Sequence, residues 1–351
     1  MISPSHSHLY LNNIQVLSRS APIPGRINED AWLVLESAIP PGYVMAAVID
    51  GASARFNIPK LIEAINEAAP GSTAAAFAAA LVRTSLTRQL NSQPNLPLST
   101  ALLAANQELQ QAIVNIIGDF SAEYVLSLAD IPAGSEDPRR MRLALPAAVV
   151  TLVRLDVTSR QLEYAHVGDA SLLEIRRDDS VICHTTDQMG RYDNAVLQYA
   201  VRLRREKDLP HLSDAVSLPE VRRLDIENGL RHNYVDEFGQ TQPGEGCGVI
   251  DGLPELADYI ESGSIPIDPE QTAGLCLLSD GLQLLAPLNE TAAQTEARLQ
   301  LTGDLLRTQG VHGLFEAVRE MAQSDPHLDQ YPRMKVQDDA TGVYLEILTK
   351  E

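Results

Sequence analysis

The sequence predicts an α+β fold, and three features of its patterning carry that expectation. Strand-like apolar segments are grouped at the start, centre and end of the 351-residue chain. Helical segments fall in pairs between those groups, where a regular βαβ series would place single crossovers. The central strand segments are joined by links of only a few residues, which favours antiparallel neighbours in a meander.

The elements follow in order. Tyr10–Leu17 reads as a first strand, closed by the Pro/Gly turn Ala21–Gly25. Ala31–Leu35 is a second, and the almost wholly apolar run Tyr43–Ile49 is a buried third that stops at Asp50-Gly51. Gly71-Ser72 offers an N-cap to an Ala-rich helix ending near Leu90, and Ser99 or Thr100 offers one to a second helix. In that second helix Leu102, Leu109, Ile113 and Ile116 share one face, and Gly118 is the expected stop. Ser121–Pro138 has no clear period and reads as a loop or insertion. Strands resume at Ala147–Leu155, Gln161–Val167 and Ser171–Ile175. Two charged helical stretches follow, Gln188 to about Arg205 and Leu218 to about His232, and then a glycine-rich loop or flap, Phe238–Gly252. Gly274–Ser279 is another buried strand, Glu290–Thr302 and Val311–Ala322 are helices, and Thr341–Leu348 closes the fold.

Composition narrows the class. Apolar residues make up 44% and charged residues 21% of the chain, the balance of a globular protein with a sizeable core. No run approaches the ~20 apolar residues of a membrane helix, and residues 1–11 lack the basic and apolar regions of a signal peptide. A cytoplasmic location, a monomer and a disordered tail over residues 1–9 are the expectations. A formal charge of −20 argues against nucleic-acid or anionic membrane partners. The three widely spaced cysteines form neither a metal-binding pair nor a disulfide framework.

Five acidic positions stand out by local construction. Asp30 closes Asn28-Glu29-Asp30 just before a strand; Asp50 and Asp280 end buried strands and precede glycine. Asp169 lies in the tight link Gly168-Asp169-Ala170-Ser171, and Asp338 precedes the last strand in Asp338-Asp339-Ala340-Thr341. Each alone reads as a turn former; a third Asp-Gly, Asp251-Gly252, shows how little the dipeptide says by itself. Together they are carboxylates at the ends of buried strands, where unpaired negative charge is costly and where hard divalent cations find the oxygen ligands they prefer.

The ordered set Asn28-Glu29-Asp30, Val48-Ile49-Asp50-Gly51, Gly168-Asp169-Ala170-Ser171, Leu277-Leu278-Ser279-Asp280-Gly281-Leu282 and Asp338-Asp339-Ala340-Thr341 resembles the metal-dependent serine/threonine protein phosphatases of the PPM, or type 2C, family in their bacterial form. Thr185-Thr186-Asp187 is similar to a further family segment. The resemblance implies a single catalytic domain over 10–349, built as a central antiparallel β-sandwich flanked by pairs of helices on both outer faces (αββα). Residues 176–272 would be an insertion or flap.

It implies two divalent cations, Mn²⁺ or Mg²⁺, with Asp50 bridging them and the Gly51 carbonyl on one. Asp280 and Asp338 would serve the other, and Glu29 and Asp30 would hold metal-bound waters. Asp169, with Asp280, would form a third, weaker site. It also implies a phosphorylated protein as substrate, hydrolysed by direct attack of a hydroxide bridging the two ions. The alternative is a catalytically inert, phosphatase-like binding or regulatory module.

The sequence departs from the family pattern at two points that matter. The family's phosphate-binding arginine falls at Gly25, so Arg26, one place late, becomes the candidate, with Arg19 or Arg55 as substitutes. Asp50-Gly51-Ala52-Ser53-Ala54 replaces the common Asp-Gly-His-Gly-Gly, which removes the histidine that would protonate a leaving group. His166, near Asp169, reads as a core or sheet-face residue, with approach to the metals as the alternative.

Overall fold

The computed structural model describes residues 8–23, 25–38, 41–131, 137–228, 233–235, 241–243 and 247–350. Its centre is two five-stranded sheets whose paired strands all run antiparallel. The first is ordered β1 (His8–Arg19), β12 (Ala340–Lys350), β11 (Thr272–Leu278), β6 (Ser171–Arg176), β7 (Val181–Cys183). The second is ordered β10 (Glu261–Pro266), β5 (Gln161–Val167), β4 (Ala147–Asp156), β3 (Pro41–Ala52), β2 (Ala31–Ala38). A short hairpin, β8 (Asn233–Val235) with β9 (Thr241–Pro243), stands apart.

Alternation along the strands builds the layers. In β3, Val44, Ala46 and Val48 enter the core between the sheets, while Met45, Ala47 and Ile49 enter the core beneath the helices. A strand with two buried faces has no polar alternation, so this one reads as a continuous apolar run. In β11, Leu275 and Leu277 face the partner sheet and Cys276 and Leu278 face outward. The αββα expectation is borne out.

On the second sheet's outer face lie α1 (Pro59–Ala68), α2 (Ala74–Ser92) and α3 (Leu98–Ile117). The alanines of α2 bring its backbone close to the sheet: Ala75, Ala78 and Ala79 are buried. The first sheet is covered by α8 (Ala292–Ser324), which bends at Gly310, where φ is +68° and ψ is −167°. That conformation is cheap only for glycine. The bend turns one run into two packed segments, Leu306 before it and Val311, Leu314 and Val318 after it meeting the same core.

Several expectations need correction. The cap of α2 is Thr73, whose side chain accepts from the Ala76 N–H at 3.1 Å, and Ser99 and Thr100 lie inside α3. Ser121–Pro138 is not all loop: α4 (Ala122–Leu128) forms there, with only Val125 buried, too little for a periodic signal. The central strands are not one meander. After β5 the chain crosses to the other sheet, so Gly168–Ala170 is a bridge between the sheets. Residues 176–272 are not wholly an insertion, because β7 and β10 belong to the two sheets.

Residues 8 and 9, expected in a tail over 1–9, instead pair with β12; residues 1–7 lie outside the described residues. Helix α5 (Gly190–Glu206) and α7 (Pro219–Asn228) lie within the stretches read as helical, with α6 (Leu212–Val216) between them. Among the described residues no helix is long and apolar enough to cross a membrane.

Candidate metal centre

The strand registers gather the acidic positions at one end of the sandwich. Ala31, at the start of β2, pairs with Ile49; Asp50 pairs with Val149; Val150 pairs with Val167, at the end of β5. In the other sheet Leu278, the last residue of β11, pairs with both Ser171 and Gly342. Glu29, Asp50, Asp169, Asp280 and Asp338 therefore emerge from five separate chain segments into one cleft of about 520 Å³. Gly51, next in β3, lines it too, and part of one wall comes from α5 and α7 through Asp193, Leu197, Arg222 and Asp225.

Asp30 does not line this cleft. It accepts from Ser279 Oγ at 3.0 Å and is also bonded to the Thr341 side chain. Its role here is to tie the β2 entry to the ends of β11 and β12. Asn28 extends the same tie through Ser18 Oγ at 2.7 Å, and Ser18 contacts Thr341 Oγ1 at 2.9 Å.

Asp339 is the residue that spacing did not single out. It is buried, and its carboxylate accepts the backbone N–H of Ala21 and of Glu29, both at 2.7 Å. It thereby fixes the chain that carries Arg26 and Glu29. The neighbouring Asp338 is held by cations on both oxygens: Arg26 Nη2 lies 3.5 Å from Oδ1 and Lys335 Nζ 2.6 Å from Oδ2. Arg26 also bonds Glu29 at 3.2 Å, and Ser53 Oγ donates to the same Glu29 oxygen at 3.1 Å.

Burial and crowding of like charges set the electrostatics of the cleft. Burial raises the Asp50 carboxyl well above the usual carboxylate range, and the charges of Asp30, Asp280, Asp169 and Asp338 push it further the same way. Asp169 is raised well above that range by burial, then by Asp280, Asp187 and Asp193. Asp280 is raised by burial of its carboxyl and by Asp338, although the residue as a whole is exposed. Asp30 is pushed up to about 7, mainly by burial, and Asp193 is pushed the same way by the protein packed around it and then by Asp187 and Asp280, although its residue stays exposed at the cleft wall. Asp187 and Asp193 thus join the acidic group around Asp169. Partial burial disfavours the charge of Lys335, but Asp338, Asp280 and Asp50 more than offset this.

The donor set suits hard divalent cations: it is all oxygen, densely charged and under mutual repulsion. Among the described residues, no three His, Cys, Asp or Glu side chains already stand in a metal-binding arrangement. Arg26 and Lys335 hold Asp338, so that carboxylate has to exchange partners to bind a cation.

A pH signature follows. A carboxylate whose pKa is raised by folding contributes most to stability below its unfolded value and loses that contribution as pH rises through its folded one. In EDTA the melting temperature is expected to fall as pH rises from about 4 to about 7 through this cluster. Mn²⁺ should restore more stability at about pH 8 than at about pH 5, read by thermal scans. Equal stabilisation at the two pH values would sink the assignment.

His166 is a satisfied core residue. Its Nε2 faces the Thr186 carbonyl at 2.9 Å and the Gly168 carbonyl at 3.2 Å, so Nε2–H donates, and its Nδ1 meets Thr151 Oγ1 at 2.9 Å. Arg55 lines the cleft but pairs with Asp225 of α7 at 2.9 Å. Of the glycine-rich segment read as a flap, residues 238–240 and 244–246 lie outside the described residues. Residues 247–252 are anchored: Ile250 bridges to Ala148, and Gly252 N–H donates to Asn106 at 2.7 Å.

Residues 19–321 match the family model described as protein phosphatase 2C. No curated protein matches the chain. Among solved structures, the serine/threonine phosphatase PstP of Mycobacterium tuberculosis is similar, with 15% identity and a TM-score of 0.48 over 98% of this chain and 100% of that one. The phosphatase Stp1 of Staphylococcus aureus shows 13% identity and a TM-score of 0.47 over 98% and 99% of the two chains. The catalytic domain of PstP in complex with 2 manganese ions shows 14% identity and a TM-score of 0.48 over 97% and 99%.

Proposed function

The chain belongs to the protein phosphatase 2C family of metal-dependent protein phosphatases, and from that membership we propose that it hydrolyses phosphoserine and phosphothreonine esters at the cleft around Asp50 and Asp280. The observation that carries the reading is the convergence of carboxylates from five segments at one end of the sandwich, where Asp280 raises the proton affinity of Asp50 and Asp169, and Asp338 raises that of Asp50 and Asp280.

In this reading Asp50, Asp280 and Asp338, with the Gly51 carbonyl, hold two divalent cations, Mn²⁺ or Mg²⁺, and Asp169 with Asp280 serves a weaker third position. Bound there, the cations supply a water of lowered pKa as nucleophile and neutralise charge on the phosphoryl oxygens. The protein's own groups do the rest. Glu29, kept in place by Ser53, Arg26 and the Asp339 brace on its backbone, would hold a metal-bound water by a hydrogen bond. Asp30 acts from behind the cleft, setting the position of Ser279 and hence of Asp280. Arg26 presents a planar guanidinium at the cleft wall, the geometry suited to phosphoryl oxygens. No histidine follows Gly51, so the leaving alkoxide takes its proton from solvent in the open cleft.

The test is hydrolysis of p-nitrophenyl phosphate and of a phosphothreonine peptide with Mn²⁺, Mg²⁺ or EDTA. Turnover of both with either cation and none in EDTA is the expected result. A protein that binds Mn²⁺ yet turns over neither substrate would overturn the reading.

A further inference from the structure

Lys335 has no place in the mechanism above, yet it lines the cleft and stands with its ammonium 2.6 Å from Asp338 Oδ2. Its surroundings set it apart from a wandering surface lysine. The segment that carries it is clamped on both sides by arginines. Arg333 pairs with Asp325 at 2.9 Å and donates to the Val336 carbonyl at 3.1 Å, while Arg319 donates to the Asp338 carbonyl at 2.8 Å. Asp325 in turn accepts the backbone N–H groups of Asp329, Gln330 and Tyr331 at 2.9–3.1 Å. The backbone at Lys335 is therefore fixed, and its half-exposed side chain is held by Asp338 alone among the described residues.

We propose that Lys335 is a substrate-binding residue of this phosphatase: it rests on Asp338 until that carboxylate engages a cation, and then binds a phosphoryl oxygen of the substrate beside Arg26. The proposal rests on the phosphatase reading and deepens it. Both cations of the pair already touch the same carboxylate, Arg26 on one oxygen and Lys335 on the other, so they bracket a single point of the cleft. The Lys335 charge also reaches Asp280 and Asp50, the centre of the acidic group. Divalent cations on Asp338 would displace the ammonium from that oxygen, and a phosphoryl group arriving at those cations is the anion within reach of it. A compact ammonium with three donors suits such a shared oxygen. It would also make up for the absence of arginine at position 25.

The experiment reads binding directly, so that its failure is separate from a failure of the activity. Inorganic phosphate is titrated calorimetrically into the Mn²⁺-loaded protein, for the wild type and for Lys335→Gln, Lys335→Arg and, as a surface control, Lys207→Gln. Lys335→Gln is expected to bind phosphate on the order of ten- to a hundredfold more weakly, the range for one charge-assisted hydrogen bond. Lys335→Arg should stay near the wild type, and Lys207→Gln should not change. Mn²⁺ alone should bind Lys335→Gln at least as tightly as the wild type, because Asp338 no longer has to exchange an ammonium.

Phosphate affinity in Lys335→Gln within about twofold of wild type overturns the proposal. So does an absence of phosphate binding to the wild type. Weaker Mn²⁺ binding by Lys335→Gln would mean that the lysine only positions Asp338, which also overturns it. If phosphate affinity falls as expected but the wild type hydrolyses no phosphothreonine peptide, the lysine's role stands and the activity fails.

Discussion

Asp280→Asn is expected to lower cation-dependent hydrolysis of a phosphothreonine peptide by on the order of a hundred- to a thousandfold or more, the cost of removing one electrostatic partner of a phosphoryl transition state. The substitution keeps the shape of the side chain and deletes its charge. Asp280 bonds the Asp50 side chain, is pushed upward by Asp338 and in turn pushes Asp50, Asp169 and Asp30, so its charge acts on most of the acidic group. Asp50→Asn should cause a loss at least as large. Both variants should melt at or above the wild-type temperature in EDTA, since each relieves repulsion among carboxylates crowded at one end of the sandwich. Mn²⁺ should stabilise them less than it stabilises the wild type. Retention of more than about a tenth of the wild-type kcat/KM in both would remove Asp50 and Asp280 from the catalytic centre.

Gly281→Ala should disable the site from the opposite direction, through shape. A Cβ at Gly281 would lie 1.7 Å from the backbone oxygen of Asp339 and 3.3 Å from the Asp338 Cβ. No rotamer relieves a clash with backbone, so the Asp338–Asp339 strand entry has to move away from Asp280. The expected cost is roughly 2–4 kcal/mol in denaturant unfolding, at the upper end of overpacking substitutions. Activity should be lost with it, because the shift separates two proposed ligands and pulls Asp339 from the N–H groups of Ala21 and Glu29. Gly71→Ala is the control: its φ of +83° is strained for alanine, but no atom lies within 4 Å. It should cost about 1 kcal/mol and leave turnover unchanged. Equal effects of the two variants would show that the close approach at Gly281 has no special weight.

The acidic motifs were legible because each sits at a strand end that the apolar pattern marks clearly. Val48-Ile49-Asp50 and Leu277-Leu278-Ser279-Asp280 break from wholly buried to charged within one or two residues, which is how a strand leaving a two-sided core has to read. Elements with little burial were missed for the converse reason. Strand β10 alternates half-buried and exposed residues at the edge of its sheet, and α4 buries a single side chain. Helix α1 did leave a signal, Pro59 at its first turn with Leu61 and Ile65 four apart.

What the sequence determined by itself is the fold class, the family and the ordered set of carboxylates, because these depend on local patterning and on short motifs. Which residues meet was decided only by the tertiary structure. The crossing from β5 to β6 takes Asp169 from one sheet to the other, and antiparallel registers in both sheets then bring residues hundreds of positions apart to one end. Lys335 and Arg319 lie outside the motifs, and Asp339 sits in one without its spacing marking a role; their roles come from a bond to Asp338, a clamp on the Asp338 carbonyl and a bond to Glu29. A hydrogen bond or an ion pair depends on separation in space, and in a sandwich closed by its first and last long strands that separation has no counterpart in the spacing along the chain.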